Sequence, residues 1–417
     1  MIRIILLLLL SALISSCNRP HIDYDVIIIG GGLSGLSAST ALDKSLSSLI
    51  IEKDSVLGGR VLTNNYKNKY FYDLGAVYIL DSSYFDELPI DDTIIEEKGD
   101  IGIWDNDSIY LGDSFKSAIK SYCPNQRILI DSIFRTEKFD FSQLNGNILE
   151  AFNTNIKSVF PGSIFNYNLF IQQYAKVRYN SSHFLKGNQS VKNKLMRSIN
   201  STISLNTLAT KVDDINDFVQ VSMVENGISK TLRAKKVIVA TNALVANTII
   251  KKKSELFKQF IEPLNYAPYI SIAIGIKDSL IKGKEAYIIP INKGFSAILK
   301  QKTIDYEVTI FQLYVANDDI LYFSDMESIK ANAYKILKDI WKVDSSKTIF
   351  YDHKYWASAG VLANNHYEKS WNHYNFKASK NVYISGDYCS LKGVPYGMIP
   401  AMQTGLNSAK QVNEEIK

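Results

Sequence analysis

The stretch Asp25-Val-Ile-Ile-Ile-Gly-Gly-Gly-Leu-Ser-Gly-Leu-Ser37 constrains the fold more than any other part of the chain. A β-branched run enters a glycine-rich turn, and small and apolar residues then open a helix. Leu49-Ile-Ile-Glu52 follows as a second apolar strand that ends in an acid. Strand, glycine turn, helix, strand and an acid about 20 residues on make the βαβ unit that binds a dinucleotide. In such a unit Gly30 permits the tight turn, Gly32 lets a pyrophosphate approach the backbone, and Gly35 lets the helix sit against the strand. The helix start, with Ser34 in its first turn, aims free N–H groups at the phosphates. Glu52 is placed to accept both hydroxyls of an adenosine ribose, with Lys53 beside it at the same end of the site.

Lys53-Asp-Ser-Val-Leu-Gly58-Gly59-Arg60 comes directly after that acid. In this position it resembles the flavin-containing amine oxidase superfamily, which includes monoamine and polyamine oxidases and protoporphyrinogen oxidase and carries Gly-Gly-Arg just after its ribose-binding Glu. The resemblance implies that Gly58 and Gly59 lie against the diphosphate of FAD, with Arg60 close to it and to the flavin. A guanidinium suits that place, because its fork of donors matches phosphate or flavin oxygens. Three further segments match in family order. Tyr72-Asp73-Leu74-Gly75-Ala76 corresponds to the family's acid followed by Gly-Ala, which puts Gly75 and Ala76 beside the isoalloxazine ring. Asp73 is either that family acid or an ordinary turn residue.

Leu208 to Ile215 reads as a strand with Phe218 to Val224 as its hairpin partner, and Arg233 to Ala240-Thr241 as a third. By resemblance, the backbone N–H and C=O of Val212 meet the adenine, and a parallel strand ends at Ala240. Gly187 to Leu195 stands where relatives have Gly-Gly before a helix, here with Lys186 in place of the first glycine. Near the C-terminus, Asn381-Val-Tyr-Ile-Ser385 is a buried-type strand ending in Gly386-Asp387, the acid that in the family bonds the ribityl or diphosphate region. Gly397 to Gly405 then opens a helix. Its first N–H groups, near Met398 and Ile399, are those that would stabilise negative charge at flavin N1 and O2.

The expected fold is α/β: a Rossmann-like FAD-binding domain from residues 23–80, 185–250 and 375–417, interleaved with an α+β substrate domain from residues 81–184 and 251–374. The first insertion begins with an Asp-rich stretch, Asp81 to Asp107, expected as loop. It continues with helices over Ser114 to Tyr122 and Asn147 to Phe160. The second carries an alternating strand over Tyr269 to Lys277, strands over Tyr287 to Pro290 and Glu307 to Val315, and an amphipathic helix over Met326 to Val343. No internal repeat or low-complexity linker is present.

The resemblance implies an FAD-dependent oxidoreductase in which a small organic substrate gives a hydride equivalent, from a C–N or C–C bond, to flavin N5; flavin supplies the redox chemistry and the protein supplies positioning. The family's lysine at a water on flavin N5 is assigned to Lys300. Trp356, in His353-Lys-Tyr-Trp356, either walls the flavin or fills the domain interface. The aromatic near the C-terminal helix start falls on Gly397, with Tyr396 one residue earlier, and Pro400 stands where relatives have glycine. Both departures put an amine substrate in question. Alternatives are a dehydrogenase or desaturase that passes electrons to a membrane quinone or partner protein, a flavoprotein without catalysis, and an NAD-dependent dehydrogenase, which Gly58-Gly59-Arg60 and Gly386-Asp387 disfavour.

Residues 1–16 read as a secretion signal, with Arg3 before the apolar run Ile4 to Leu10. Ile14-Ser-Ser-Cys17 resembles a bacterial lipobox, which implies lipidation of Cys17, a tether over residues 17–22 and a protein held at a membrane of the cell envelope. Cys123 and Cys389 either form one disulfide or remain two buried thiols. With five histidines and no CxxC pattern, no metal site is expected. A net charge of +5 spread over 417 residues does not point to nucleic acid.

Overall fold

The computed structural model describes residues 21–77, 79, 84–85, 88, 90–97, 99–135, 144–159, 181–277, 281, 286–301, 303, 307–362, 377–389 and 397–416. The residues read as an export signal, Cys17, most of the expected tether and Tyr396 lie outside these residues. Among the described residues no helix is long and apolar enough to cross a membrane.

The strand Tyr24–Ile29 lies within a seven-stranded sheet. Its flanking strands Ser48–Ile51 and Ile228–Val239 run parallel to it, with Ile28 opposite Ile50 and Ile238. Thr202–Ser204 and Val382–Ile384 extend the parallel part on either side. Successive residues of a strand face opposite ways, so this sheet feeds two cores. Val26, Ile28, Ile50 and Ile238 pack into one of them, and Ile27, Ile29, Ile51 and Val239 into the other. Both faces are covered, which is why these strands are continuously apolar rather than alternating. The long strand Ile228–Val239 does double service. Its first half pairs antiparallel with Val219–Glu225, which in turn pairs with Thr207–Asp214.

The first helix, Leu33–Ala41, is built from small residues and packs beneath the C-terminal helix Met398–Ile416. A Cβ on Gly405 would lie 2.1 Å from the Ser34 carbonyl oxygen, which shows how closely the two backbones approach. Ser408 Oγ donates to the Ile384 carbonyl at 3.0 Å, and Lys236 pairs with Glu415 at 2.8 Å. The last helix is thus bonded to strands from two distant parts of the chain.

A second seven-stranded sheet has the order Thr348–Leu362, Asn265–Ile276, Thr309–Ala316, Ala297–Gln301, Ala286–Pro290, Asp100–Asp105, Ser108–Gly112. Ile270, Ile272 and Ile274 share its back face with Ile298, Phe311, Leu313 and Val315, under the helix Met326–Trp341. That helix starts in a capping box between Asp325 and Ser328, a device worth about 1 kcal/mol. Its buried residues Ile329, Ala333, Ile336 and Leu337 recur at helical spacing. The front face carries Tyr269, Ser271, Gln312 and Tyr314 and looks toward the first sheet.

The Asp-rich stretch differs from its expectation as loop. It contributes the strands Ile94–Glu97 and Asp100–Asp105. Ile101, Ile103 and Trp104 are buried, and the acids of the second strand sit at its two ends, so a short apolar run outweighs the local charge. Cys123 and Cys389 are both buried and unbridged.

Candidate functional site

A cavity of about 520 Å³ runs along the carboxyl ends of the parallel strands and ends against the front face of the second sheet. Crevices at such strand ends are where α/β sheets hold nucleotides, and the volume is in the range of ligand sites.

At its first end stands Glu52, 7% exposed. Its carboxylate accepts from the N–H groups of Gly31 at 2.8 Å and Asp54 at 2.9 Å, so it is fixed in place at the end of its strand. Lys53 lines the same end, with Nζ 2.7 Å from Asp54. Thr207, Leu208 and Ala209, with Asn242 and Val245, complete this wall. Val212 does not take part. It is fully buried, pairs with Val221, and its carbonyl accepts from Lys251 N–H at 2.9 Å. The strand residues that reach the cavity are those next to Glu52, whose carbonyl accepts from Thr207 N–H at 2.9 Å. Val212 lies roughly 10 Å farther along, since a strand advances about 3.3 Å per residue.

In the middle, Gly30 has φ +105°, and a Cβ there would lie 2.6 Å from the Ala240 carbonyl oxygen. A Cβ on Gly35 would lie 1.9 Å from the Gly30 carbonyl oxygen. Gly32 caps the first helix without a side chain, and Gly58 N–H donates to the Gly31 carbonyl at 2.9 Å, drawing Gly58-Gly59 against the turn. The glycines present bare backbone to the cavity here, which leaves room for a diphosphate at the amide end of a nine-residue helix. Ser34 lines the cavity, but its hydroxyl donates to Ser385 Oγ at 2.7 Å.

At the far end both terminal nitrogens of Arg60 are bonded within the protein. Nη1 donates to the Ala359 carbonyl at 2.5 Å and Nη2 to Asp387 at 2.7 Å. Arg60's own carbonyl accepts from Ala76 N–H at 2.9 Å, which holds Gly75 and Ala76 along the wall. Gly386 and Ala240 line the cavity as well. Trp356 borders it and donates from Nε1 to the Leu74 carbonyl at 2.7 Å. Tyr269 and Tyr314 stand with ring centroids 5.7 Å apart. Met398 and Ala401 close this end from the C-terminal helix, whereas Ile399 is absent from the lining and packs against the core instead.

Lys300 is not in this cavity. On the strand Ala297–Gln301 it is opposite Phe311, on the back face with Ile298, and its Nζ donates to the Ile281 carbonyl at 3.2 Å. Strand alternation decides the matter: Leu299 and Gln301 face forward, so Lys300 cannot. The second sheet instead gives the cavity Tyr269, Ser271, Tyr314, Trp356 and Ser358, none of them charged. Tyr269 and Ser271 were legible as one face of an alternating strand. Tyr314 and the Thr207–Ala209 wall had no signal beyond their strands.

Asp73 is no ordinary turn residue. Its buried carboxylate accepts from the Thr63 hydroxyl and from Asn188 N–H at 3.0 Å, clamping the strand beside Gly75 to the start of the helix Gln189–Met196. Burial pushes its pKa up to about 7, against the pull of those donors. In the unfolded chain Asp73 titrates near 3.8, so between that value and about 7 the folded protein holds the extra proton. Its contribution to stability is therefore full at low pH and is lost as pH rises toward 7. Asp73→Asn should lose about 2 kcal/mol less stability than wild type on going from pH 5 to pH 8. Denaturant melts at both pH values check this, and equal losses would refute it. Burial likewise pushes the Cys389 thiol well above its usual range, so it does not supply a thiolate.

Residues 105–413 match the family profile described as flavin containing amine oxidoreductase, and residues 28–89 match that of an NAD(P)-binding Rossmann-like domain. A flavin-containing amine oxidase of Danio rerio is 49% identical over 57 residues, a stretch covering 13% of this chain and 11% of that enzyme. A putrescine oxidase triple mutant superposes with a TM-score of 0.76 at 14% identity, covering 95% of this chain and 100% of that one. Cyclohexylamine oxidase from Brevibacterium oxydans gives 0.74 at 15% identity, covering 94% of this chain and 99% of that one. The fold is shared throughout, while the 49% identity to the Danio rerio enzyme spans 57 residues. The chain belongs to the flavin containing amine oxidoreductase family, and FAD is the dinucleotide its cavity is built to hold.

Proposed function

We propose that this chain removes a hydride equivalent from a C–N bond of a small amine-like substrate lying between the front of the second sheet and the Arg60–Asp387 end of the cavity. The observation that carries this reading is the continuity of the site. One cavity joins the Glu52 end to an uncharged wall of Tyr269, Tyr314 and Trp356. Bound FAD supplies the redox chemistry, accepting the electrons at its ring.

The rest is positioning by the chain. Glu52 and the glycine turn hold the adenosine and diphosphate half. Arg60, tied to Ala359 and Asp387, sets the depth of the far end, because both its terminal nitrogens are bonded to fixed groups. The amides at the start of the helix Met398–Ile416 present partial positive charge where negative charge develops. The aromatic wall excludes water from the reacting bond.

The test is the visible spectrum of the purified protein, followed by anaerobic addition of amines, amino acids and polyamines. A flavin band bleached by an amine supports the reading. A retained band that no amine bleaches, while a quinone-linked dye assay turns over another substrate, would shift it to the dehydrogenase alternative. Glu52→Ala serves as the cofactor control. It removes the ribose acceptor and leaves the Gly31 and Asp54 donors unpaired, so flavin affinity should fall about 100-fold or more. Unchanged flavin content in that variant would count against the adenosine assignment.

A further inference from the structure

The glycine pair beside the dinucleotide turn has a cation at its back. Gly58 lines the cavity with φ +125°, and the direction a Cβ would take there is filled by Lys192, whose Cδ lies 2.7 Å from that point. A carbon–carbon bond adds about 1.5 Å, so the Lys192 stem runs within about 4 Å of Gly58 Cα, and its ammonium, two bonds farther on, lies within about 7 Å. Lys192 itself does not line the cavity, so the Gly58 backbone stands between the two. It belongs to the helix Gln189–Met196, whose Val191 and Leu195 pack into the core shared with Leu33 and Leu36 of the first helix. The stem thus starts from a fixed element.

The charges around the cavity call for such a group. Among the described residues its lining holds two cations, Lys53 and Arg60, against three acids, Glu52, Asp54 and Asp387. Both cations are already paired, Lys53 with Asp54 and Arg60 with Asp387, each at 2.7 Å. The lining is therefore net negative where a doubly negative diphosphate is to lie, and the helix start sets only a partial positive charge against it. Lys192 is different. Among the described residues its ammonium has no carboxylate partner and no hydrogen bond. Half-burial without an acid nearby pulls its pKa below the usual lysine range. A charge kept from water with nothing to answer it is costly, and an anion on the other side of one glycine offsets that cost.

Resting on the cofactor placement given above, we propose that Lys192 is the counter-ion of the FAD diphosphate, acting across the bare Gly58 backbone and selecting a flavin that carries phosphate over one that does not. Glycine at position 58 then has a second use, since any side chain there would push the stem of Lys192 aside. Lysine suits the task, because its ammonium is a point charge on a flexible stem and needs no fixed fork of donors. Lys192 acts on the phosphates and not at the reacting bond, so it is a positioning residue.

The experiment titrates FAD and riboflavin into the flavin-stripped full chain and follows flavin fluorescence at low and high KCl. Lys192→Met keeps the length of the stem and removes the charge. It should weaken FAD binding about 10-fold at low salt and leave riboflavin binding unchanged. Its effect on FAD should shrink at high salt, where the charge is screened in wild type as well. Lys192→Arg should bind FAD as wild type does. In wild type, bound FAD should slow acetylation of Lys192 at mildly alkaline pH, read by mass spectrometry, because the anion keeps the amine protonated. Equal FAD affinity in wild type and Lys192→Met, an equal loss of FAD and riboflavin, a Lys192→Arg variant as weak as Lys192→Met, or acetylation that FAD does not slow would each overturn the proposal. Glu52→Ala with its FAD affinity intact would instead remove the cofactor placement on which the proposal rests.

Discussion

Gly35→Ala is expected to yield no flavin-loaded protein. The added Cβ would lie 1.9 Å from the carbonyl oxygen and 3.1 Å from the carbonyl carbon of Gly30. Both are backbone atoms of the turn itself, so no side chain can swing aside. The helix Leu33–Ala41 would have to lift away from its strand, carrying with it the amides that face the diphosphate and the seat of the C-terminal helix. The cost belongs with the exceptional substitutions, above about 4 kcal/mol, and approaches the whole stability of a typical domain. Gly227→Ala is the matched control. That turn glycine has a positive φ, +80°, which Gly35 lacks, but a Cβ there meets nothing within 4 Å, so only the local backbone penalty of about 1 kcal/mol applies. Soluble yield and flavin absorbance should separate the two variants cleanly. A yellow Gly35→Ala protein with normal melting would show that the turn and helix are not packed as described.

The second large effect belongs to Arg60. Arg60→Ala takes away the partner of Asp387, whose side chain is 6% exposed. A buried carboxylate left without its cation costs about 3–5 kcal/mol, more than the pair contributes when intact. The Ala359 carbonyl loses its donor in the same step. Removing both charges should therefore be milder than removing one: Arg60→Ala/Asp387→Asn should melt above Arg60→Ala alone. All of these variants should hold flavin less well than wild type, because the far end of the cavity loses its fixed depth. Strict additivity in a double-mutant cycle would refute the coupling.

The parts of this molecule that were legible in the sequence are those where backbone chemistry leaves few choices. The turn glycines Gly30 and Gly32, the acid at Glu52 and the glycine pair at Gly58-Gly59 all line one cavity, and Gly35 packs directly beneath that turn, because bare backbone is needed where strand and helix meet a ligand. The strand Tyr269 to Lys277 and the helix from Met326 showed themselves by period. The errors have equally physical causes. Val212 and Lys300 lie on real strands but at the wrong place along or across them. A motif fixes the element before it fixes the register, and one residue of register turns a side chain to the other face. Lys300 had the right chemistry for the cavity and the wrong parity. The groups that do face the cavity from that sheet, Tyr269 and Tyr314, come from strands separated in sequence and paired through Ser271 opposite Tyr314, a juxtaposition that only the folded sheet contains.

The interleaving of the first sheet also sets an order of events. The turn that receives the diphosphate is complete within the first sixty or so residues, yet Ser34 is bonded to Ser385 across 351 positions and sits under Gly405. A nascent or clipped chain that lacks its last helix has the cradle without its roof, and it must also close a very long loop before the two can meet. Ligand that binds only the finished state adds its binding energy to that state alone. Yellow colour in a preparation of this protein is therefore expected only from chains whose last helix has been made and docked.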